Sequence, residues 1–519
     1  MTRPASSLIT LALLTLTIPS AAQDTPANPP VAPPAPAPEP RMVQIDPELL
    51  AANRWSGFVQ LPMGQKLEFI VNFNDGPGGN GAARMDIPMQ GMANQDLFDA
   101  AVTAESMKFT LRPPRAPEQG WAVFDLKVAE DGQSAKGTMS QFGQTFQCEM
   151  TKVKAGQELG QRRPQTPRPP FPYTERELSF TNAADGTRIT GSLVVPGKPP
   201  EGELVDLTRH PAVLLLSGSG AQDRDSTIFG HKPFLVIADH LARAGIASFR
   251  YDDRGVGGST GDLMNSTSLD LVEDARAAVQ MLKLQRDIDP ARVIVIGHSE
   301  GGMIASELAA DTQDIAGVVL LASPGVPGGE VLTHQAQILM IASGADPELV
   351  GESIRWQKVL VERVVSGAPE DAQREAMREM IRAQARAAAK MSGQPDMDIT
   401  DAQIDEVAIP QLKQLQSNWF RFFLSFDPRI AMRKIRIPIL VLNGERDLQV
   451  DPAQNLPAIR AALEEAKNPN ATIKELPDLN HLFQTVNQAE LIDYAQLEET
   501  FAPAALTQIE AWLKGQFGL

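Results

Sequence analysis

The segment Val293-Ile294-Val295-Ile296-Gly297-His298-Ser299-Glu300-Gly301-Gly302-Met303-Ile304-Ala305 constrains the fold more than any other stretch of the chain. Its four consecutive β-branched residues suit a strand covered on both faces, and the small, helix-forming residues after Ser299 suit a helix that starts at once. Ser299 therefore falls on the reversal between strand and helix. Gly297 and Gly301, flanking it at i−2 and i+2, remove the side chains that would collide in so sharp a turn, which leaves the Ser299 hydroxyl at the carboxyl end of the strand. A G-x-S-x-G string arises by chance about 0.2 times in a chain of this length, so the buried strand before it and the helix after it carry the discrimination.

A serine placed in this way needs a base, and the base needs an orienting acid. On such a scaffold they follow in the order Ser, acid, His, each on a loop beyond a later strand. Ile437-Pro438-Ile439-Leu440-Val441-Leu442-Asn443-Gly444 is such a strand, and Asp447 lies in the loop beyond it. Asp447 is the candidate acid, ahead of Asp451, which is followed by Pro452, and of Asp478, which stands only three residues before a histidine. Ala471 to Pro477 reads as the next strand, and Asp478-Leu479-Asn480-His481 follows it; of the six histidines, His481 alone lies beyond Asp447. Ala212 to Leu216 runs into Ser217-Gly218-Ser219-Gly220, where small residues let the backbone approach a substrate, so the Ser219 and Glu300 N–H groups are the candidate oxyanion donors.

Ser217 to Asp225, Tyr251-Asp252-Asp253-Arg254-Gly255-Val256-Gly257, Gly297 to Gly302, Asn443 to Asp447 and Leu479-Asn480-His481 together resemble the secreted bacterial α/β-hydrolases of the carboxylesterase and serine-aminopeptidase-like group. The resemblance covers about the last two-thirds of the chain. It implies an α/β-hydrolase fold with an inserted helical cap, and a triad of Ser299, Asp447 and His481 working through an acyl-enzyme without metal or cofactor. It also implies a small-molecule substrate, with ester hydrolysis ahead of peptide hydrolysis. A serine aminopeptidase-like peptidase is the alternative, with Glu300 or the cap residue Glu352 able to hold an α-amino group. A non-catalytic binding scaffold is a third reading, disfavoured by the intact triad.

With 519 residues, 43% of them hydrophobic, the chain should hold more than one folded domain. A formal charge of −17, a pI near 4.9 and no run of five basic residues argue against a nucleic-acid partner, which requires a basic face. Residues 1–22 read as an export leader: Arg3 supplies the charge, Leu8 to Ile18 the apolar core, and Ser20-Ala21-Ala22 the small-residue cut. That core is too short to span a bilayer, so the expected destination is the periplasm or the medium. Cys148 is the only cysteine, which excludes an intramolecular disulfide and leaves a small apolar core residue or a reactive thiol.

Residues 23–40 form a Pro/Ala-rich linker, extended and without a core. From 41 to 155 short alternating segments suit a small antiparallel β-domain, barrel or sandwich: Lys66 to Phe73, Ala83 to Ile87, Met107 to Leu111, Trp121 to Val128, Thr138 to Gln141 and Thr145 to Thr151. It holds no catalytic constellation, and a shielding module or a module that binds a glycan, partner or envelope would both suit it. A second proline-rich linker is expected at 156–173, with the hydrolase from 174 to 519. There an opening hairpin is followed by alternating strands and helices, which implies a mostly parallel sheet covered on both faces. Asp252 to Ser259 lacks the Gly-Lys-Ser/Thr ending of a phosphate loop, so its glycines serve a turn and Arg254 braces neighbouring loops. His298 has no partner at metal-ligand spacing. Residues 326–432 are expected to form the cap, as helices at Gln335 to Ala342, Pro347 to Val365, Asp371 to Met391 and Asp398 to Gln416, the last broken or kinked at Pro410. The aromatic stretch Trp419 to Phe426 suits either core or pocket wall.

Overall fold

The computed structural model describes residues 54–60, 66–73, 83–87, 92–112, 120–141, 144–153, 163–197, 208–311, 314–391, 393, 395, 399–486, 494 and 496–518. The expected leader at 1–22 and linker at 23–40 lie outside the described residues, as do residues 41–53 and 154–162.

The first unit is a closed antiparallel barrel of β1 (Arg54–Gln60), β2 (Lys66–Phe73), β3 (Ala83–Ile87), β4 (Met92–Val102), β5 (Ser106–Leu111), β6 (Ala122–Val128), β7 (Ser134–Gln141) and β8 (Gln144–Lys152), with β8 returning to pair with β1. Alternate residues point inward, and Trp55, Phe69, Met85, Phe109, Phe124 and Met150 fill the interior. A barrel of this strand number is just wide enough for side chains to fill, and the Phe109 and Phe124 rings stack there at 4.7 Å. Cys148 is part of this core, and burial pushes its thiol up to about 12, which makes it a packing residue. Gly57 allows β1 and β8 to approach: a Cβ there would lie 2.7 Å from the Glu149 carbonyl oxygen.

The second unit carries an eight-stranded sheet. Its strands are β9 (Tyr173–Thr181), β10 (Arg188–Pro196), β11 (His210–Leu216), β12 (Ala247–Tyr251), β13 (Ile288–His298), β14 (Gly317–Leu321), β15 (Ile439–Gly444) and β16 (Ala471–Leu476), in the spatial order β16-β15-β14-β13-β11-β12-β10-β9. The β9–β10 hairpin is antiparallel and the strands from β12 to β16 run parallel. The elbow strand β13 lies inside the sheet, and its apolar run feeds two cores. Val293 and Val295 enter one, against α2 (Ser268–Lys283), α3 (Glu300–Asp311) and α10 (Pro452–Glu465); Ile294 and Ile296 enter the other, against α1 (Pro233–Arg243) and α11 (Pro503–Phe517). A continuous β-branched run is stable in this place because neither face meets water.

Between β14 and β15 the cap is built from α4 (Gly328–Ala342), α5 (Pro347–Val365), α6 (Glu370–Met391), α7 (Asp401–Leu415) and α8 (Asn418–Ser425), before the short α9 (Arg429–Met432) leads back to the sheet. Leu360, Met377, Ile381, Ile404 and Trp419 share its core. Helix α7 starts at a capping box made by Thr400 and Gln403 and continues past Pro410, where the sequence predicts a break or a kink. The chain also joins the hydrolase earlier than residue 174. Gln165 donates to the Phe501 carbonyl at 2.6 Å and accepts from the Thr500 and Phe501 amides at 2.6 and 3.0 Å, and Phe171 stacks on Tyr173 at 5.1 Å.

Arg254 braces loops as its place in the turn suggests. Its guanidinium donates to Asp274 at 2.6 and 2.9 Å, Asp185 at 2.7 Å and Ser266 at 3.2 Å, and the side chains of Arg254 and Asp274 are only 5% and 2% exposed. Removing one partner of so buried a pair leaves an uncompensated charge. Arg254→Met is expected to destabilise the hydrolase unit by about 3–5 kcal/mol in a denaturant titration; a loss under about 1 kcal/mol would show that the pair is dispensable.

Candidate active site

Ser299 occupies the turn between β13 and α3 with φ +54°, a left-handed conformation that a non-glycine residue holds only where its surroundings impose it. The surroundings are backbone. A Cβ on Gly297 would lie 2.0 Å from the Gly301 carbonyl oxygen, and one on Gly301 would lie 2.3 and 2.4 Å from the Leu216 and Ser217 carbonyl oxygens. A third glycine, Gly302, packs on Ser323: a Cβ added there would lie 2.5 Å from the Ser323 Cβ. The Ser299 amide donates to the Leu321 carbonyl at 2.8 Å, which holds the turn to the end of the next strand.

Of the carboxylates weighed against each other, Asp447 meets the histidine: His481 Nδ1 lies 2.8 Å from Asp447 Oδ2, and the two side chains are 6% and 0% exposed. Asp447 also accepts from the Gln449 and Val450 amides at 2.9 Å each and from Asn443 Nδ2 at 3.3 Å. With Nδ1–H donating to the carboxylate, His481 keeps its Nε2 lone pair for a proton. Asp451 instead caps α10 through the Ala453 amide at 3.0 Å and lies 2.6 Å from His334 Nε2, while Asp478 faces Arg446 at 3.5 Å. The acid and histidine loops are joined by their backbones, since the Glu445 and Arg446 amides donate to the Leu476 and Leu479 carbonyls at 2.9 Å each. Asn480 shapes the histidine turn, its Oδ1 accepting from the Leu482 and Gln484 amides at 3.0 and 2.9 Å.

His298 supplies a link the spacing did not reveal. Its Nε2 lies 2.9 Å from the His481 carbonyl oxygen, and burial, reinforced by His481, lowers its ionisation to about 3. It is a neutral N–H donor that ties the serine turn to the histidine loop.

The Ser217–Gly220 loop passes beside the serine: a Cβ on Gly218 would be 3.2 Å from the Ser299 Cβ. The Glu300 N–H opens helix α3 and so has no intrahelical acceptor. Two buried carboxyls hold the loop. Asp253 accepts from Ser217 Oγ at 3.0 Å and from the Gln222 amide at 2.9 Å. Glu300, 2% exposed, accepts from Ser268 Oγ at 2.8 Å and from the Trp419 indole N–H at 2.9 Å, and the nearby Ser219 side chain favours its charged form. Trp419 is itself 1% exposed and belongs to the cap core, and it also lines a small cavity with Leu216, Ser217, Gly218 and Glu300. The carboxylates considered as anchors for an α-amino group are thus both engaged, Glu300 as above and Glu352 with Arg386 at 2.7 Å.

The strand order, the left-handed serine turn and the loops beyond β15 and β16 define an α/β-hydrolase. A sequence profile of the family described as serine aminopeptidase, S33, matches residues 232–485. The chain is 28% identical to the esterase EstD of Thermotoga maritima over 276 residues, 52% of this chain and 54% of that one. It is 33% identical to an uncharacterised protein of Mycobacterium tuberculosis over 177 residues, 31% of this chain and 58% of that one. The chain thus spans a little over half the length of these curated relatives. An esterase of Pyrococcus furiosus of known structure aligns over 66% of this chain and 91% of its own, with a TM-score of 0.38 and 15% identity.

Burial raises the Asp253 carboxyl to about 8, against the hydrogen bonds it accepts and with Glu300 and Asp274 adding to the shift. A carboxyl raised in the folded state stabilises below its unfolded value, and that contribution is lost as pH rises through the folded one. The wild type should therefore lose stability relative to Asp253→Asn as pH rises from about 4 to about 8, measured by paired thermal melts. Parallel pH profiles would show that Asp253 is ionised throughout.

Proposed function

We propose that this protein is a serine esterase that cleaves small carboxylic esters through a Ser299–His481–Asp447 triad. The observation that carries the proposal is the buried 2.8 Å His481–Asp447 bond at the carboxyl edge of a sheet whose elbow presents Ser299 at φ +54°. Ser299 Oγ attacks the acyl carbon and its proton passes to His481 Nε2, while Asp447 stabilises the imidazolium. The oxyanion of the tetrahedral intermediate is held by the Ser219 and Glu300 N–H groups. On collapse the alcohol leaves with the proton from His481, and Ser299 is left acylated. Water then gives its proton to His481 and attacks the acyl carbon; collapse restores Ser299 and releases the acid.

Ester hydrolysis is favoured over peptide hydrolysis by the engagement of Glu300 and Glu352, which leaves neither carboxylate to anchor an α-amino group. The likeness to an esterase points the same way, whereas the matched family profile bears a peptidase description. Residues 1–22 further suggest that the enzyme acts outside the cytoplasm.

Specificity constants on nitrophenyl esters of graded acyl length are expected to exceed those on aminoacyl and prolyl anilides; the reverse order would overturn the ester reading. Asp447→Asn should keep the fold and lower kcat by about four orders of magnitude, because His481 would be held in the wrong tautomer. Asp451→Asn should leave kcat within about threefold, and a larger loss there than at Asp447 would displace the acid assignment.

A further inference from the structure

The residue that follows the nucleophile is seldom asked to do more than lend its N–H, yet here its side chain meets three separate segments. The Glu300 carboxylate accepts from Ser268 Oγ at the start of α2 at 2.8 Å, and the Ser219 side chain of the oxyanion loop lies near enough to favour its charged form. The carboxylate also accepts from the indole N–H of Trp419 on cap helix α8, at 2.9 and 3.2 Å to its two oxygens. These bonds are made in a buried place, Glu300 and Trp419 being 2% and 1% exposed, so a lost partner leaves a buried polar group to be satisfied again. Helix α8 is fixed to the hydrolase body on the same side, the Trp419 amide donating to the Met264 carbonyl at 3.4 Å and Asn418 Nδ2 to the Asn265 carbonyl at 3.2 Å. Inside the cap the Trp419 ring stacks with Phe423 at 6.3 Å and meets Phe420 edge-on at 5.1 Å, so the indole moves with the cap core.

The oxyanion loop is held from its other side as well. Asp253 anchors Ser217 and Gln222, and Gln222 Nε2 donates to the Ser219 carbonyl at 3.3 Å. Ser219 is thus set between a fixed anchor and Glu300. A shift of α8 would pull on the carboxylate of the residue that bears one oxyanion donor and that lies beside the side chain of the residue bearing the other.

We propose that Glu300 is a positioning residue through which the cap sets the two backbone donors of the oxyanion hole. The proposal rests on the triad reading above. The cap then does more than cover the substrate: its seating on Trp419 is a condition for full transition-state stabilisation, and a substrate that displaces α8 is turned over slowly even when it binds.

The full chain is tested with Trp419→Phe, which keeps the ring and removes the N–H, and with Ser219→Ala, which keeps the backbone donor and removes the hydroxyl beside Glu300. Each is expected to lower kcat on nitrophenyl acetate about tenfold with KM changed less than about twofold, and to slow covalent inactivation by a fluorophosphonate by the same factor. Ser268→Ala removes a bond to the same carboxylate that reaches neither cap nor oxyanion loop, and it should retain kcat. Should the Phe variant fail to fold, the Ser219 variant, at a half-buried position, carries the same expectation. The proposal is overturned if folded Trp419→Phe or Ser219→Ala protein reacts with the probe at the wild-type rate, or if Ser268→Ala lowers kcat as much as they do, which marks a merely structural role. Wild-type protein that takes no probe at Ser299 would overturn the triad reading itself, and this proposal with it.

Discussion

A carboxylate removed from water must find its donors within the protein, and Asp447 shows how far that requirement reaches. Four donors converge on it: His481 Nδ1 at 2.8 Å, two amides of its own loop at 2.9 Å and Asn443 Nδ2 at 3.3 Å. Those bonds fix the acid loop, and the backbone bonds from Glu445 and Arg446 to the strand and turn before His481 fix the histidine loop against it. His298, from the serine turn, closes the set by reaching the His481 carbonyl. Three loops far apart in sequence are thereby held in one arrangement, which is the pre-organisation that the proposed role of Ser299 requires.

The same principle operates one layer deeper, with acids that lack a full counter-charge. Asp253 and Glu300 are both buried, and burial raises both carboxyls. Asp274 nearby is matched instead by Arg254. The hydrolase body thus uses buried ionisable groups for two tasks: an ion pair that braces loops around Asp274, and hydrogen-bond acceptors that hold the Ser217–Gly220 loop where a neutral carboxyl costs less than a charged one.

The serine turn and the Asp447–His481 pair were legible in the sequence because they depend on short-range patterns. Gly297, Ser299 and Gly301 sit in one turn, and Asp447 and His481 each lie in the loop after a short strand, so spacing and strand order suffice. Interactions between distant segments leave no such pattern. Nothing in the sequence around Trp419 announces that its indole N–H meets Glu300, 119 residues away, or that Gln165, in a stretch read as linker, bonds Thr500 and Phe501. Strand β4 escaped detection for a related reason: Met92–Val102 carries Asn, Asp and Ala where β-branched residues are usual, and it is irregular where Asp99 takes φ +51°. Strand β1 carries Gly57 at its centre, a residue that weakens a strand signal yet is required where β8 approaches. Pro410 is expected from the sequence to break or kink its helix, and α7 runs on past it, so the break is absent.

The central claim is that Ser299 carries the acyl group between the two halves of the reaction. It is tested most directly by rapid acid quench of wild-type protein during turnover of a slowly deacylated nitrophenyl ester, followed by peptide mass spectrometry. The account predicts a burst of about one nitrophenol per active site and an acyl mass on the peptide that contains Ser299. Steady turnover with no acylated peptide, or with the acyl group on another residue, would contradict it.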